Sequence, residues 1–172
     1  MSDIYSKSKR SEIMSHISGK ETKPEILVRK FLFANGFRFR KNVKNLPGKP
    51  DIVLPKYKTV IFIHGCFWHG HTCKRGTLPT TNIEFWQTKI DGNIERDKRD
   101  FSELKNQGWN VITIWQCEIR NAYLRTTRLN SLLSEIVESL SLENNSLVAE
   151  PQVIYITTSR QKDDFKKEKS NL

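Results

Sequence analysis

The spacing of apolar residues predicts three helices in the body of the chain. They span residues 22–34, residues 83–107 and Leu129–Leu142. In the first helix Thr22 can act as the cap, because Pro24 suits the first turn and Glu25 completes a capping box. Gly92 lies inside the second predicted helix and marks a point where it could be interrupted.

Short apolar runs and period-2 alternation predict four strands. They are Phe37–Val43, Ile52–Leu54, Thr59–Ile63 and Trp109–Trp115. Residues 55–58 read as a hairpin connection, so the second and third strands are expected to pair. Residues 64–81 are rich in Gly, His, Cys and Thr without a period and predict a structured loop. The order of elements predicts an α/β domain with a mixed central sheet flanked by helices.

Composition divides the chain into three segments. Residues 1–20 are polar and basic with a short apolar stripe, which suits a short helix or a mobile arm. Residues 21–142 carry the periodic pattern and form the predicted domain. The pattern breaks afterwards, so residues 143–172 are interpreted as a partly disordered tail.

The charge balance adds a class of partner. Lys and Arg exceed Asp and Glu by ten, giving a net charge of +10. A basic domain favours a polyanion such as nucleic acid, because phosphate neutralisation releases counterions. The alternative is a charge that only keeps the protein soluble. No apolar run is long enough for a membrane span and the N-terminus lacks a secretory pattern, so a cytoplasmic protein without a membrane partner is expected.

Asp51 is the first candidate for chemistry. It stands at the head of a predicted strand, after the turn Pro47–Pro50. Phosphodiester hydrolysis requires a hard cation such as Mg²⁺, which a carboxylate can hold. The alternative is that Asp51 only closes the turn. Glu25 on the first helix could face the same site, although the capping box already accounts for it.

The loop after the third strand concentrates metal-binding residue types. Cys66, His71 and Cys73 can supply three ligands to a structural zinc, and Cys117 can supply the fourth if strand Trp109–Trp115 lies beside Thr59–Ile63. This set uses every cysteine of the chain. The alternative is three buried thiols, since the spacing is not that of a common zinc finger.

His64 and His69 remain outside this zinc set. Imidazole can take up or release a proton near neutral pH, and Asp97 on the second helix could orient one ring. Purely structural histidines are the alternative.

Phe67 and Trp68 interrupt the polar loop, and Trp86 follows it. On a basic protein such aromatics could act as a wedge between base pairs, where weakened pairs unstack more readily. The alternative is that they cover the zinc site.

Taken together, these segments resemble the very-short-patch mismatch repair endonucleases. The matching residues are Pro-Gly-Lys-Pro-Asp (47–51), the string 60–73, Phe85-Trp86, the string 89–97, Gly108-Trp109 and Trp115-Gln-Cys117. The resemblance runs from about Arg10 to about Leu142. The string around Cys66 to Cys73 is highly specific.

The resemblance implies a restriction-endonuclease-like fold and a Mg²⁺-dependent nick 5′ of the thymine in a T·G mismatch. Deamination of 5-methylcytosine generates such mismatches, so a cytosine-5 DNA methyltransferase is the implied functional companion. The implied enzyme is monomeric, bacterial and cytoplasmic, and associates with the nucleoid when bound to DNA.

The resemblance also assigns roles to individual residues. Asp51 looks like the Mg²⁺ ligand and His69 like the general base or acid, with His64, Glu25 and Asp97 in support. The zinc ligands correspond to Cys66, His71, Cys73 and Cys117. Phe67, Trp68 and Trp86 look like a major-groove wedge, and Met14 on the arm like its minor-groove counterpart.

Ile63 departs from the pattern, because the family often has threonine there. The backbone carbonyl of Ile63 could still bind Mg²⁺. We favour this role over one for a side-chain hydroxyl, because Ile63 ends a predicted strand that looks buried.

Two rival functions remain at the level of sequence. One is a restriction enzyme of the same fold that cuts both strands of matched DNA, and the other is a zinc-stabilised DNA-binding protein without catalysis. The wedge aromatics argue against the first, and the group Asp51, His64 and His69 argues against the second.

Overall fold

A computed structural model describes residues 6–15, 21–41 and 43–147. The side chains of Lys7, Arg10, Met14 and residues 140–147 lie outside this description, as do residues 148–172. The predicted minor-groove role of Met14 and most of the predicted tail therefore fall on parts that the structure does not describe. Within the described ranges, none of the helices combines the length and the apolar composition that a bilayer crossing requires.

Four helices and four strands make up the described chain. In order they are α1 (Lys7–Ser15), α2 (Lys23–Ala34), β1 (Arg40–Lys41), β2 (Ile52–Leu54), β3 (Thr59–His64), α3 (Ile83–Asn106), β4 (Asn110–Trp115) and α4 (Ala122–Leu147). A 3-10 helix, Pro55–Tyr57, replaces a simple hairpin turn between β2 and β3. The predicted mixed α/β architecture is confirmed.

The sheet has the order β1-β2-β3-β4. β1 pairs with β2 and β2 with β3 in antiparallel fashion, whereas β3 and β4 are parallel. The pairing of β3 with β4 is the one that the zinc hypothesis required. It places His64 opposite Trp115 and thereby brings the loop after β3 close to the segment after β4.

Alternation along the strands divides the core between the two faces of the sheet. On one face, α2 and α4 pack against residues such as Ile52, Ile61 and Ile112. On the other face, Leu104 of α3 packs against Val60 and its neighbours. The loop after β3 and the segment after β4 leave the sheet at the same end, because these two strands are parallel.

Three elements differ from the sequence prediction by more than a residue or in their continuity. The strand predicted over Phe37–Val43 is reduced to β1, because β2 offers only three residues for pairing. α3 continues through Gly92 without interruption. α4 begins seven residues earlier than predicted, where the Asn121 side chain accepts a hydrogen bond from the Leu124 amide at 2.8 Å, and it continues to Leu147.

Candidate active site

Asp51 is positioned by the tight turn before β2. Gly48 and Lys49 both adopt positive φ, and a Cβ at Gly48 would lie 3.1 Å from the Phe62 ring. The turn therefore packs closely on β3 and directs Asp51 toward it. Asp51 Oδ2 accepts a hydrogen bond from the Ile63 amide at 2.7 Å.

Asp51 lines a cleft of about 830 Å³ together with Glu25, His64, His69 and Asp97. The structure thus brings together all five residues that the sequence suggested for catalysis. Burial raises the pKa of Asp51 from 3.8 to about 6, although the hydrogen bond from the Ile63 amide acts in the opposite direction. A half-buried carboxylate with this raised pKa is a group whose charge a bound cation would stabilise.

His69 and Asp97 form a close pair at the cleft. Their Nδ1 and Oδ2 atoms are 2.5 Å apart, so the carboxylate of α3 fixes the orientation of the imidazole. The side chains of His69 and Asp97 are 25% and 20% exposed, which leaves the ring within reach of a ligand.

His64 lies behind this pair and has a different environment. Its ring stacks on that of His69 with 3.6 Å between centroids and 12° between planes. Burial, and after it the neighbouring His69, lower the pKa of His64 from 6.5 to about 3. His64 is therefore neutral near pH 7 and serves as a platform for the His69 ring.

Glu25 faces the cleft, but its carboxylate is already engaged. Oε1 accepts from the Thr22 hydroxyl at 2.8 Å and Oε2 from the Glu21 amide at 3.1 Å. The Arg29 guanidinium adds an ion pair with Glu25 at 2.9 Å and a contact with the Asp51 carbonyl at 3.4 Å. Through Arg29, Glu25 thus anchors the start of α2 to the segment that holds Asp51, just before β2.

Arg29 was missed by the sequence reading. Its position four residues after Glu25 permits a helical ion pair, but such pairs are usually solvent-exposed and contribute little. Here the Arg29 side chain is only 9% exposed, and its contact with the Asp51 carbonyl spans 22 residues of sequence.

Cys66, His71, Cys73 and Cys117 converge as the zinc hypothesis required. One ligand atom from each lies within 4.8 Å of the others. The loop folds back tightly at Gly76, where a Cβ would lie 1.8 Å from the His71 carbonyl oxygen. Glycine is therefore obligatory at position 76 for this loop conformation.

One pair of atoms in this cluster has the spacing expected of two ligands on a tetrahedral zinc ion. Zn–S and Zn–N bonds of ordinary length place a sulfur and a nitrogen ligand about 3.6 Å apart. Cys117 Sγ and His71 Nδ1 are 3.6 Å apart, and all three cysteines are free thiols. A hydrogen bond with His71 lowers the pKa of Cys73, whereas burial and the other two sulfurs raise that of Cys117. A bound cation would stabilise the thiolate forms of the neighbouring cysteines, which otherwise oppose each other's deprotonation.

Phe67, Trp68 and Trp86 form one aromatic cluster. Their ring centroids are separated by 5.1 Å for Phe67–Trp68, 5.2 Å for Phe67–Trp86 and 6.0 Å for Trp68–Trp86. Trp68 is 41% exposed and also lines the cleft. The ring that stacks on His71 of the cysteine cluster belongs to Trp115, with 4.3 Å between centroids. The aromatic cluster therefore has an accessible tip beside the cleft.

Asn93 was also missed by the sequence reading. It is buried on α3 and donates a hydrogen bond to the Trp68 carbonyl at 2.8 Å, which fixes the tip of the aromatic cluster. An asparagine inside a helix gives no sequence signal for this contact, because the partner lies 25 residues away.

A protein-family profile and several known proteins are similar to this chain. The profile of a protein family described as DNA mismatch endonuclease Vsr matches residues 2–75. The type II nicking enzyme V.NmeAIP of Neisseria meningitidis is 55% identical over 140 residues, which cover 81% of this chain and 100% of that protein. The type II nicking enzyme V.XorIIP of Xanthomonas oryzae is 43% identical over 133 residues, covering 77% and 98%. The DNA mismatch endonuclease Vsr of Escherichia coli is 43% identical over 120 residues, covering 70% and 77%.

Proposed function

The chain belongs to the Vsr family of DNA nicking endonucleases, and on this premise we propose that it nicks one strand 5′ of the thymine in a T·G mismatch. Deamination of 5-methylcytosine produces this mismatch, so the incision initiates very-short-patch repair beside a cytosine-5 DNA methyltransferase. The proposal includes a restriction-endonuclease-like arrangement of the mixed sheet and a protein that acts on duplex DNA as a monomer.

The observation that carries the proposal is the accessible aromatic tip at the mouth of the cleft. Trp68 lines the same cleft as Asp51 and His69. Inserting an aromatic ring between base pairs costs a few kcal/mol of unstacking, and the cost is lowest where pairing is already weak. A wedge fixed next to the hydrolytic residues therefore couples incision to a weakened pair such as T·G.

Asp51 and the backbone carbonyl of Ile63 fit the role of Mg²⁺ ligands. In a strand, the N–H and C=O of one residue point to the same side, and the Ile63 N–H points to Asp51. The Ile63 carbonyl therefore faces the same region, next to Asp51 and just before the first residue of β2. Its side chain packs against the core, so the hydroxyl of a threonine is not required for this role. When bound, Mg²⁺ would supply charge stabilisation for the phosphodiester being cleaved.

His69 is the residue proposed to move the proton. Asp97 holds its Nδ1, which leaves Nε2 as the atom that exchanges a proton with water or with the leaving oxygen. His64 stays neutral and supports the ring from behind. Glu25 is proposed to act indirectly: it binds Arg29, and Arg29 contacts the Asp51 carbonyl.

Cys66, His71, Cys73 and Cys117 are proposed to bind a structural zinc ion. Zinc with four protein ligands has no open position for substrate, so its contribution would be to fix the loop. That loop carries both His69 and Trp68, which lie between the ligands Cys66 and His71 in sequence.

We expect Asp97→Asn to lower kcat by about 100-fold or more, with little change in DNA affinity. The amide cannot stabilise a protonated imidazole, and its NH₂ group can impose the wrong ring tautomer. Single-turnover nicking and binding should be measured in parallel. Asp100→Asn is the matched control, because Asp100 lies in the same cleft but forms an ion pair with Arg99 rather than a contact with a histidine. Equal rates for the Asp97 variant and wild type would remove His69 from its proposed role.

The proposed substrate is tested with a labelled duplex that carries a single T·G mismatch, beside a matched T·A duplex. With Mg²⁺ present we expect cleavage of the thymine-containing strand alone, and only in the mismatched duplex. Trp68→Ala should lose most of this preference without losing the fold, because Trp68 is already 41% exposed. Cutting of both strands in the T·A duplex would instead indicate a restriction enzyme, and binding without cutting a non-catalytic DNA-binding protein.

A further inference from the structure

Gly92 lies inside the 24-residue helix α3, where nothing within the described chain requires a glycine. A Cβ built at this position would meet none of the described heavy atoms within 4 Å outside the adjoining helix backbone. Its φ is not positive, so the backbone does not require glycine either. Glycine in a helix interior destabilises the helix relative to alanine. Glycine at position 92 therefore lowers the stability of the free protein, and no described contact or backbone conformation there requires it.

The surface around Gly92 is a groove of about 540 Å³ along α3. Phe85, Lys89 and Arg96 stand seven residues before, three before and four after Gly92, so they lie on the same helix face. Phe85 is 62% exposed, and Lys89 and Arg96 are also exposed. The groove thus presents two cations, one aromatic ring and, at one end of its lining, the carboxylate of Glu84, around a position that lacks a side chain.

Arg96 joins this groove to the catalytic cleft. It lines both cavities, and its Nη2 donates to Asn93 Oδ1 at 2.7 Å. Asn93 in turn holds the Trp68 carbonyl. The groove and the cleft therefore adjoin at Arg96, so a polymer that enters the cleft past Trp68 can extend along the face of α3 that contains Gly92.

We infer that the DNA strand running between the aromatic cluster and the cleft packs against α3 in this groove, and that its backbone comes closest to the protein at Gly92. Lys89 and Arg96 flank this point with the charges that phosphates require. Any side chain at position 92 holds the strand away from both. The inference rests on the proposed function for DNA as the ligand, but it does not require the T·G specificity.

The variants Gly92→Ala and Gly92→Gln test the inference, because stability and binding should move in opposite directions. Gly92→Ala should raise Tm by about 2–4 °C, since alanine favours the helix. The same variant should weaken DNA binding by about tenfold, and Gly92→Gln should weaken it further. Binding is measured by fluorescence anisotropy on labelled T·G and T·A duplexes in EDTA, so that no strand is cut.

Ser102→Gln is the matched control, because Ser102 is exposed on the same helix and is not part of the groove lining. It should bind both duplexes like the wild type. Wild-type affinity in both Gly92 variants would overturn the inference, even if the wild-type protein nicks T·G duplexes as proposed. Conversely, a wild-type protein that binds duplexes without nicking them contradicts the proposed function, and the Gly92 series then still tests the groove. A wild type that binds neither duplex would overturn the inference.

Discussion

Replacing Asp51 by asparagine is expected to lower the nicking rate at least about 1000-fold, because a metal-held charge contributes several kcal/mol to the transition state. The asparagine oxygen can still accept the hydrogen bond from the Ile63 amide. Burial raises the pKa of Asp51, so the charged form is disfavoured in the folded protein without metal. The variant should therefore be at least as stable as the wild type in EDTA. Single-turnover nicking assays and thermal unfolding measure the two effects.

A second measurement separates metal binding from general damage. Mg²⁺ should raise Tm of the wild type in a concentration-dependent way, because a ligand that binds only the folded state stabilises it. The Asp51 variant should lose this shift and keep its affinity for T·G duplexes. Asp100→Asn, in the same cleft, should retain the shift. A near-normal nicking rate in Asp51→Asn would show that the metal ligand lies elsewhere.

Removing one ligand of the cysteine cluster, as in Cys117→Ser, is expected to lower Tm by more than about 10 °C and to abolish stoichiometric zinc. The proposed zinc ion would cross-link the loop after β3 to the segment after β4, adding to the parallel strand pairing and to the stacking of Trp115 on His71. Elemental analysis of the purified protein measures zinc, and calorimetry measures Tm. Nicking should be lost as well, since the loop positions His69 and Trp68.

Thr72→Ala provides the control for this loop. Thr72 is exposed between His71 and Cys73 and contributes no atom to the cluster. It should retain one zinc ion per chain and nearly the full Tm. Replacement of zinc by Co²⁺ should give the absorption of a tetrahedral thiolate site in Thr72→Ala and not in Cys117→Ser. A wild-type protein that is metal-free yet fully stable would contradict the assignment.

The elements with a strong local pattern were predicted from sequence almost to the residue. Helix α2 begins one residue after Thr22, and strand β3 is only one residue longer than predicted. The failures occurred where pairing or capping decided the outcome. Phe37 is buried against Tyr57, with 5.0 Å between ring centroids, so the alternation before β1 records side-chain burial rather than strand pairing.

For the candidate site, too, the sequence predicted some features and missed others. The sequence suggested which residue types could bind zinc or transfer a proton, but it left structural alternatives open for each. The 2.5 Å contact between His69 and Asp97 joins residues 28 positions apart. Arg29 and Asn93 were not predicted at all, since each acts through a backbone carbonyl that is distant in sequence.

The sequence by itself determined the α/β class and membership in a nicking endonuclease family, and it supplied the candidate residues of the cysteine cluster, because these depend on local periodicity and on a specific string of residues. Only the tertiary structure decided how His64 and His69 differ, since burial and stacking give two identical side chains different environments. It also revealed that Gly92 faces open space on α3. Burial, charge environment and free surface arise from distant parts of the chain meeting in space, and no local pattern encodes them.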